Sequence, residues 1–140
     1  MRSRNAWELL LLLFTATACS PQPSTQQLAN ELKTVTSWTA TAHKVGDFWL
    51  QGSIPQAYAQ RTLETAGKKL HEEIDTLVKV APPENRNTVI ARVQKLTETV
   101  EQMAKTVGRQ DRNALTREIG ELSEREQEIR SLAKTVGNQP

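Results

Sequence analysis

Leu28, Leu32, Val35, Thr39, Ala42, Gly46 and Trp49 follow one another at alternating intervals of four and three residues. That interval is the period of one α-helical face, and it recurs in four separate blocks of the chain. The second block is Ala59, Leu63, Ala66, Leu70, Ile74, Leu77 and Ala81. Val89, Val93, Leu96, Val100, Met103 and Val107 make the third, and Leu115, Ile119, Leu122, Glu126, Ile129, Ala133 and Val136 the fourth. A strand needs alternation in twos, which the chain lacks.

Each block ends on a helix-breaking signal. Gly52 offers a stop after the first, and Ser53-Ile54-Pro55 a restart, with Ser53 as N-cap and Pro55 inside the first turn. Pro82-Pro83 ends the second block, and Gly108 closes the third in the C-terminal glycine position. Asp111 can cap the fourth, and Gly137 closes it. The expected helices cover about 25–51, 54–81, 84–107 and 111–136. Four such segments joined by short breaks predict an all-α fold, an antiparallel up-down-up-down four-helix bundle over 25–137. Each helix would be about 37 Å long. Folding back about Gly52-Ser53 sets Trp38 opposite Gly67, where a missing side chain leaves room for an indole.

The pentapeptide Ala104-Lys105-Thr106-Val107-Gly108 recurs as Ala133-Lys134-Thr135-Val136-Gly137. Convergence on a favoured helix ending accounts for it as well as duplication does. Glu121-Arg125 and Glu126-Arg130 are Glu-first pairs of the kind that support a helix. Glu126 also falls on the apolar stripe, and antiparallel pairing of the last two helices predicts an Arg92–Glu126 contact.

Candidate chemistry is sparse. His43 precedes Asp47, and His71 precedes Asp75, each by one helical turn. With the helices folded back, the two pairs lie about 13 Å apart and do not share an ion. Structural zinc needs four ligands, so no metal or cofactor is assigned. No nucleophile elbow, phosphate loop or metalloprotease helix motif is present, and no catalytic residue is assigned. Lys and Arg number 18 against 16 Asp and Glu, too even a balance for a nucleic-acid face.

Aromatics gather at one place. Phe48, Trp49 and Tyr58 flank the first turn, and bundle geometry brings Arg109 and Arg112 of the third turn to the same end. Two readings stand. The cluster is a partner-binding tip, since aromatic residues and Arg dominate interface energetics. Alternatively, Phe48 and Trp49 plug the bundle end and Tyr58 packs on Pro55.

The amino-terminal stretch is different in kind. Arg2 and Arg4 precede the apolar run Leu9 to Phe14, followed by the small residues Thr15 to Ala18. This is the order of a secretory signal peptide over 1–18, too short to span a bilayer. Ala16-Thr17-Ala18-Cys19 resembles the lipobox of bacterial lipoproteins, though leucine is commoner where Ala16 stands and Glu8 is unusual beside the apolar run. The resemblance implies that Cys19 is lipidated and becomes the first residue of the mature chain. The polar segment 19–24 then tethers the bundle to the membrane. Ser20 in place of aspartate points to an outer membrane facing the periplasm, if the envelope has two membranes. The same small residues satisfy an ordinary signal peptidase, which would release a secreted or periplasmic soluble protein with one spare cysteine.

The function expected from these features is a lipid-anchored envelope bundle serving as a non-catalytic accessory or scaffold for an unidentified envelope protein. Two alternatives stand beside it: a bundle binding a small molecule or metal between its helices, and an oligomeric structural assembly of helices.

Overall fold

The computed structural model describes residues 25–137, so the signal-peptide, Cys19 and tether assignments lie outside the described residues. Four helices account for nearly all of these residues: α1 Thr25–Leu50, α2 Gln56–Val80, α3 Pro83–Gly108 and α4 Arg112–Gly137. No strand occurs among the described residues. The ends fall within two residues of those read from the pattern.

The periodic stripes are the core. Every stripe position is buried except Glu126 and Ala133, which are partly covered. Leu28, Leu32, Leu63, Leu70, Leu96, Met103 and Leu122 are among the largest side chains wholly removed from solvent. Burying one such side chain stabilises the fold by about 1.5–3 kcal/mol. Each helix therefore packs where its stripe finds another. α1 lies against α2 and α4, and α3 lies against the same two helices. α1 also touches α3 through the centre, while α2 and α4 stay apart. Two of the buried threonines bond within their own helices: Thr39 and Thr97 each donate to the carbonyl four residues back at 2.8 Å.

Small residues set the closest approaches. At Gly46, a Cβ would come within 2.9 Å of the Ile119 side chain and 3.1 Å of that of Met103, so this glycine admits α4 and α3 to α1. Gly67 serves a different neighbour from the one expected. Its missing side chain makes room for Glu101 of α3, whose Cγ would lie 3.0 Å from a Cβ there. Trp38 instead packs, partly buried, against the edge of the core. Gly67 turns toward α3 because α2 sits between α1 and α3 and must fit both.

The turns also depart from expectation in detail. α2 starts at Gln56 with Pro55 as its N-cap residue and no side-chain cap, so Ser53 is not the cap. Ser53 is engaged in ending α1. Its N–H donates to the Phe48 carbonyl at 2.8 Å, and that of Gly52 to the Trp49 carbonyl at 3.0 Å, with Gly52 left-handed at φ 72°. This is a Schellman ending with glycine in the left-handed position. The end of α3 has the same bonds two residues later than predicted. Gln110 N–H donates to Val107 O and Asp111 N–H to Thr106 O, and the left-handed residue is Gln110 at φ 60°, not Gly108. Asp111 does cap α4, its carboxylate accepting the Ala114 N–H at 2.9 Å. In the α2–α3 turn, Pro83 opens α3, and the Arg86 guanidinium donates twice to the Ala81 carbonyl.

Candidate functional site

The α1–α2 and α3–α4 turns form one end of the bundle, and polar side chains lace them together. Gln56 Nε2 donates to the Gly108 carbonyl at 3.0 Å, and Gln110 Nε2 donates to Gln56 Oε1 at 2.6 Å. Arg112 donates to the Leu50 carbonyl, one of the acceptors left open where α1 stops. Its guanidinium carbon lies 5.2 Å from the centre of the Trp49 ring, a cation–π contact. Gln56 and Gln110 had no local signal in the sequence; their role exists only because the two turns meet.

The five tip residues divide. Trp49 is buried, 7% exposed, and closes the end of the core beneath Arg112. Phe48 and Tyr58 are among the few large apolar side chains left open, at 46% and 59%. The plug reading therefore describes Trp49 and does not describe Phe48, while Tyr58 lines an open groove together with Pro55. Arg109 is turned back toward α3, where its guanidinium donates to the Thr106 hydroxyl at 3.4 Å.

Thr106 begins a polar network along the α3/α4 seam. Its hydroxyl donates to Glu118 Oε1 at 2.8 Å and accepts from Gln102. Glu118 Oε2 is enclosed without a donor. Burial pushes the Glu118 carboxyl above the ordinary range, against the pull of Thr106, Gln102 and the Arg109 charge. Further along α4, Glu126 pairs with Arg130, which donates from Nε at 2.9 Å and Nη2 at 2.5 Å. This replaces the predicted Arg92–Glu126 contact. The local partner one turn away reaches the carboxylate while Glu126 remains largely covered, 12% exposed, on the stripe. Arg125 makes no bond to Glu121; its Nε is enclosed without an acceptor.

The histidines lie on different surfaces. His43 Nε2 is 3.4 Å from Asp47, as the spacing predicts. His71 and Glu101 are shared by two adjoining grooves on the outside of the α2/α3 seam, each about 500 Å³. Toward the laced end the groove carries Lys68 and Lys105 beside Glu64, and away from it Asp75 and Glu98. Among the described residues, no three His, Cys, Asp or Glu side chains are grouped to hold a metal ion. Nor is any of these helices long and apolar enough to cross a membrane.

Compared with known proteins, the chain matches no family model, no curated protein and no solved structure.

Proposed function

We propose that this protein is a lipid-anchored component of a bacterial cell envelope whose helical bundle is a non-catalytic scaffold for another envelope protein. The observation that carries the reading is the laced end, where Phe48 and Tyr58 stand open on a frame stiffened by Gln56, Gln110 and Arg112. A rigid aromatic surface loses little conformational entropy when it is covered, which favours docking.

In this reading the helices alternate in direction. Contacts between α2 and α3 support it: Gly67 meets Glu101, and seven residues back along α2, Gln60 meets Gly108, seven residues forward along α3. Thr25 then starts α1 about 37 Å from its Leu50 end. The signal peptide 1–18 is removed, Cys19 carries the lipid, and the aromatic end faces away from the bilayer. Acyl chains supply the membrane affinity, at about 0.8 kcal/mol per buried CH2.

Fractionation tests the anchor. The wild-type chain is expected to pellet with membranes and to incorporate labelled fatty acid, and Cys19→Ala to do neither. A Cys19→Ala protein that pellets as the wild type does would remove the anchor from this proposal. Crosslinking in native membranes tests the scaffold: a specific adduct should be lost in Phe48→Ala/Tyr58→Ala while membrane association is kept. An adduct unchanged by that double substitution places the contact elsewhere on the bundle.

A further inference from the structure

We infer that the outer face of the α2/α3 seam is where two copies of this chain pair, side by side about a two-fold axis that runs along the helices. The two adjoining grooves on that face are lined by charged side chains from both helices. Glu64, Lys68 and His71 come from α2, and Glu98, Glu101 and Lys105 from α3, and all six are exposed. Their register follows from two close approaches. Gly67 lies against Glu101, and Gly108 lies against Gln60. Seven residues back along α2 thus match seven forward along α3, which sets Glu64 level with Lys105, Lys68 with Glu101 and His71 with Glu98. Every level pairs a carboxylate on one helix with a basic group on the other.

A two-fold axis along the seam lays α2 of one copy on α3 of the other with levels unchanged. Glu64 of each copy then meets Lys105 of the other, Lys68 meets Glu101, and His71 meets Glu98, each contact being made twice. By the same register Asp75 meets the Gln94 amide. Among the charges lining these grooves, no two of like sign are set opposite each other. Complementarity of this kind fixes orientation and disfavours other partners. A segment of one charge sign would meet repulsion at some level of the face, so a second copy fits better than an acidic or a basic segment.

The chain does not use these charges internally. Among the described residues the ion pairs are His43–Asp47, Lys69–Glu72 and Glu126–Arg130, and none joins α2 to α3. Glu64 accepts from the Gln60 amide through one oxygen, which leaves the other for a second copy.

The face runs from Gln60 to Asp75 on α2, about 23 Å at the helical rise and about 20 Å across two helices. That is smaller than the roughly 800 Å² per partner of a standard interface. The dimer is therefore weak, steered by charge and loosened by salt. The axis leaves both amino-terminal ends at the same end of the pair. The pairing needs neither a lipid at Cys19 nor a partner at Phe48 and Tyr58, so it stands or falls separately from the function proposed above.

The test is sedimentation of the full chain in mild detergent under reducing conditions, with zero-length carboxyl–amine crosslinking of a mixture of isotope-labelled and unlabelled chain. Wild type should form a dimer that high salt weakens. Its Glu64–Lys105 and Lys68–Glu101 adducts should join labelled to unlabelled peptides. Lys68→Glu/Lys105→Glu should weaken the dimer about a hundredfold. Adding Glu64→Lys and Glu101→Lys to that variant remakes the same pairs with signs exchanged and should restore the dimer. All four positions are exposed, so helicity by circular dichroism is expected to be unchanged. A monomeric wild type, a dimer that survives the double reversal or one that the fourfold exchange does not restore overturns the inference. Adducts confined to peptides of one label overturn it too, and they decide alone if a variant fails to fold.

Discussion

Gln110 holds a left-handed backbone that costs a residue with a Cβ roughly 1 kcal/mol. Its side chain offsets part of that cost by bonding Gln56. Gln110→Gly should therefore stabilise the fold by less than about 1 kcal/mol. A denaturation midpoint lower than wild type would instead show that the Gln56 bond outweighs the backbone. Gly52 has the same backbone without the cost, so Gly52→Ala is expected to destabilise by about 1 kcal/mol. Gly120 is the opposite case, an exposed helix interior with open space where a Cβ would stand. Gly120→Ala should raise stability by about 0.5–1 kcal/mol in urea denaturation.

Between elements, the tightest approach is at Gly46. Gly46→Leu forces Ile119 and Met103 from their places and should cost about 1–3 kcal/mol, seen as a lower midpoint with unchanged m-value. Gly67→Leu presses on α3 through Glu101, and a compensating change belongs at Glu101, not at Trp38. The lacing of the two turns depends on Arg112, which joins the Leu50 carbonyl and the Trp49 face. Arg112→Ala should cost about 1–2 kcal/mol and quicken exchange of amides in the last turn of α1.

At the scale of the whole molecule, two partly buried carboxyls, one on α2 and one on α4, are displaced in the same direction. Burial raises both Glu73 and Glu118 above the ordinary range. The folded bundle then binds more protons than the unfolded chain at mildly acid pH, and stability rises as pH falls from neutrality toward about 4.5. Glu72, lowered by Lys69, acts in the reverse sense but is exposed and screened. The molecule should therefore strengthen on mild acidification, and Glu118→Gln should leave a shallower dependence. Denaturant midpoints at about pH 7 and about pH 5 measure both.

What the amino-acid order determined by itself is the set of helices and their buried faces, because helical periodicity and Gly, Pro and Asp punctuation are local. Asp111 as cap and Gly52 as stop follow from backbone chemistry within a few residues. The repeated pentapeptide marks where local information ends. Thr106 is buried and bonded to Glu118, whereas Thr135, at the same place in the second copy, is exposed and bonds back to Ser131. Only tertiary packing distinguishes them, since α4 lies over Thr106 whereas Thr135, on α4 itself, stays exposed. The same holds for Gly67, which meets Glu101. Trp49 and Phe48 are sequence neighbours in one aromatic turn, yet one closes the core and the other stays open. Which faces meet is settled by contacts between distant residues, and those contacts decide which side chains stay open to solvent.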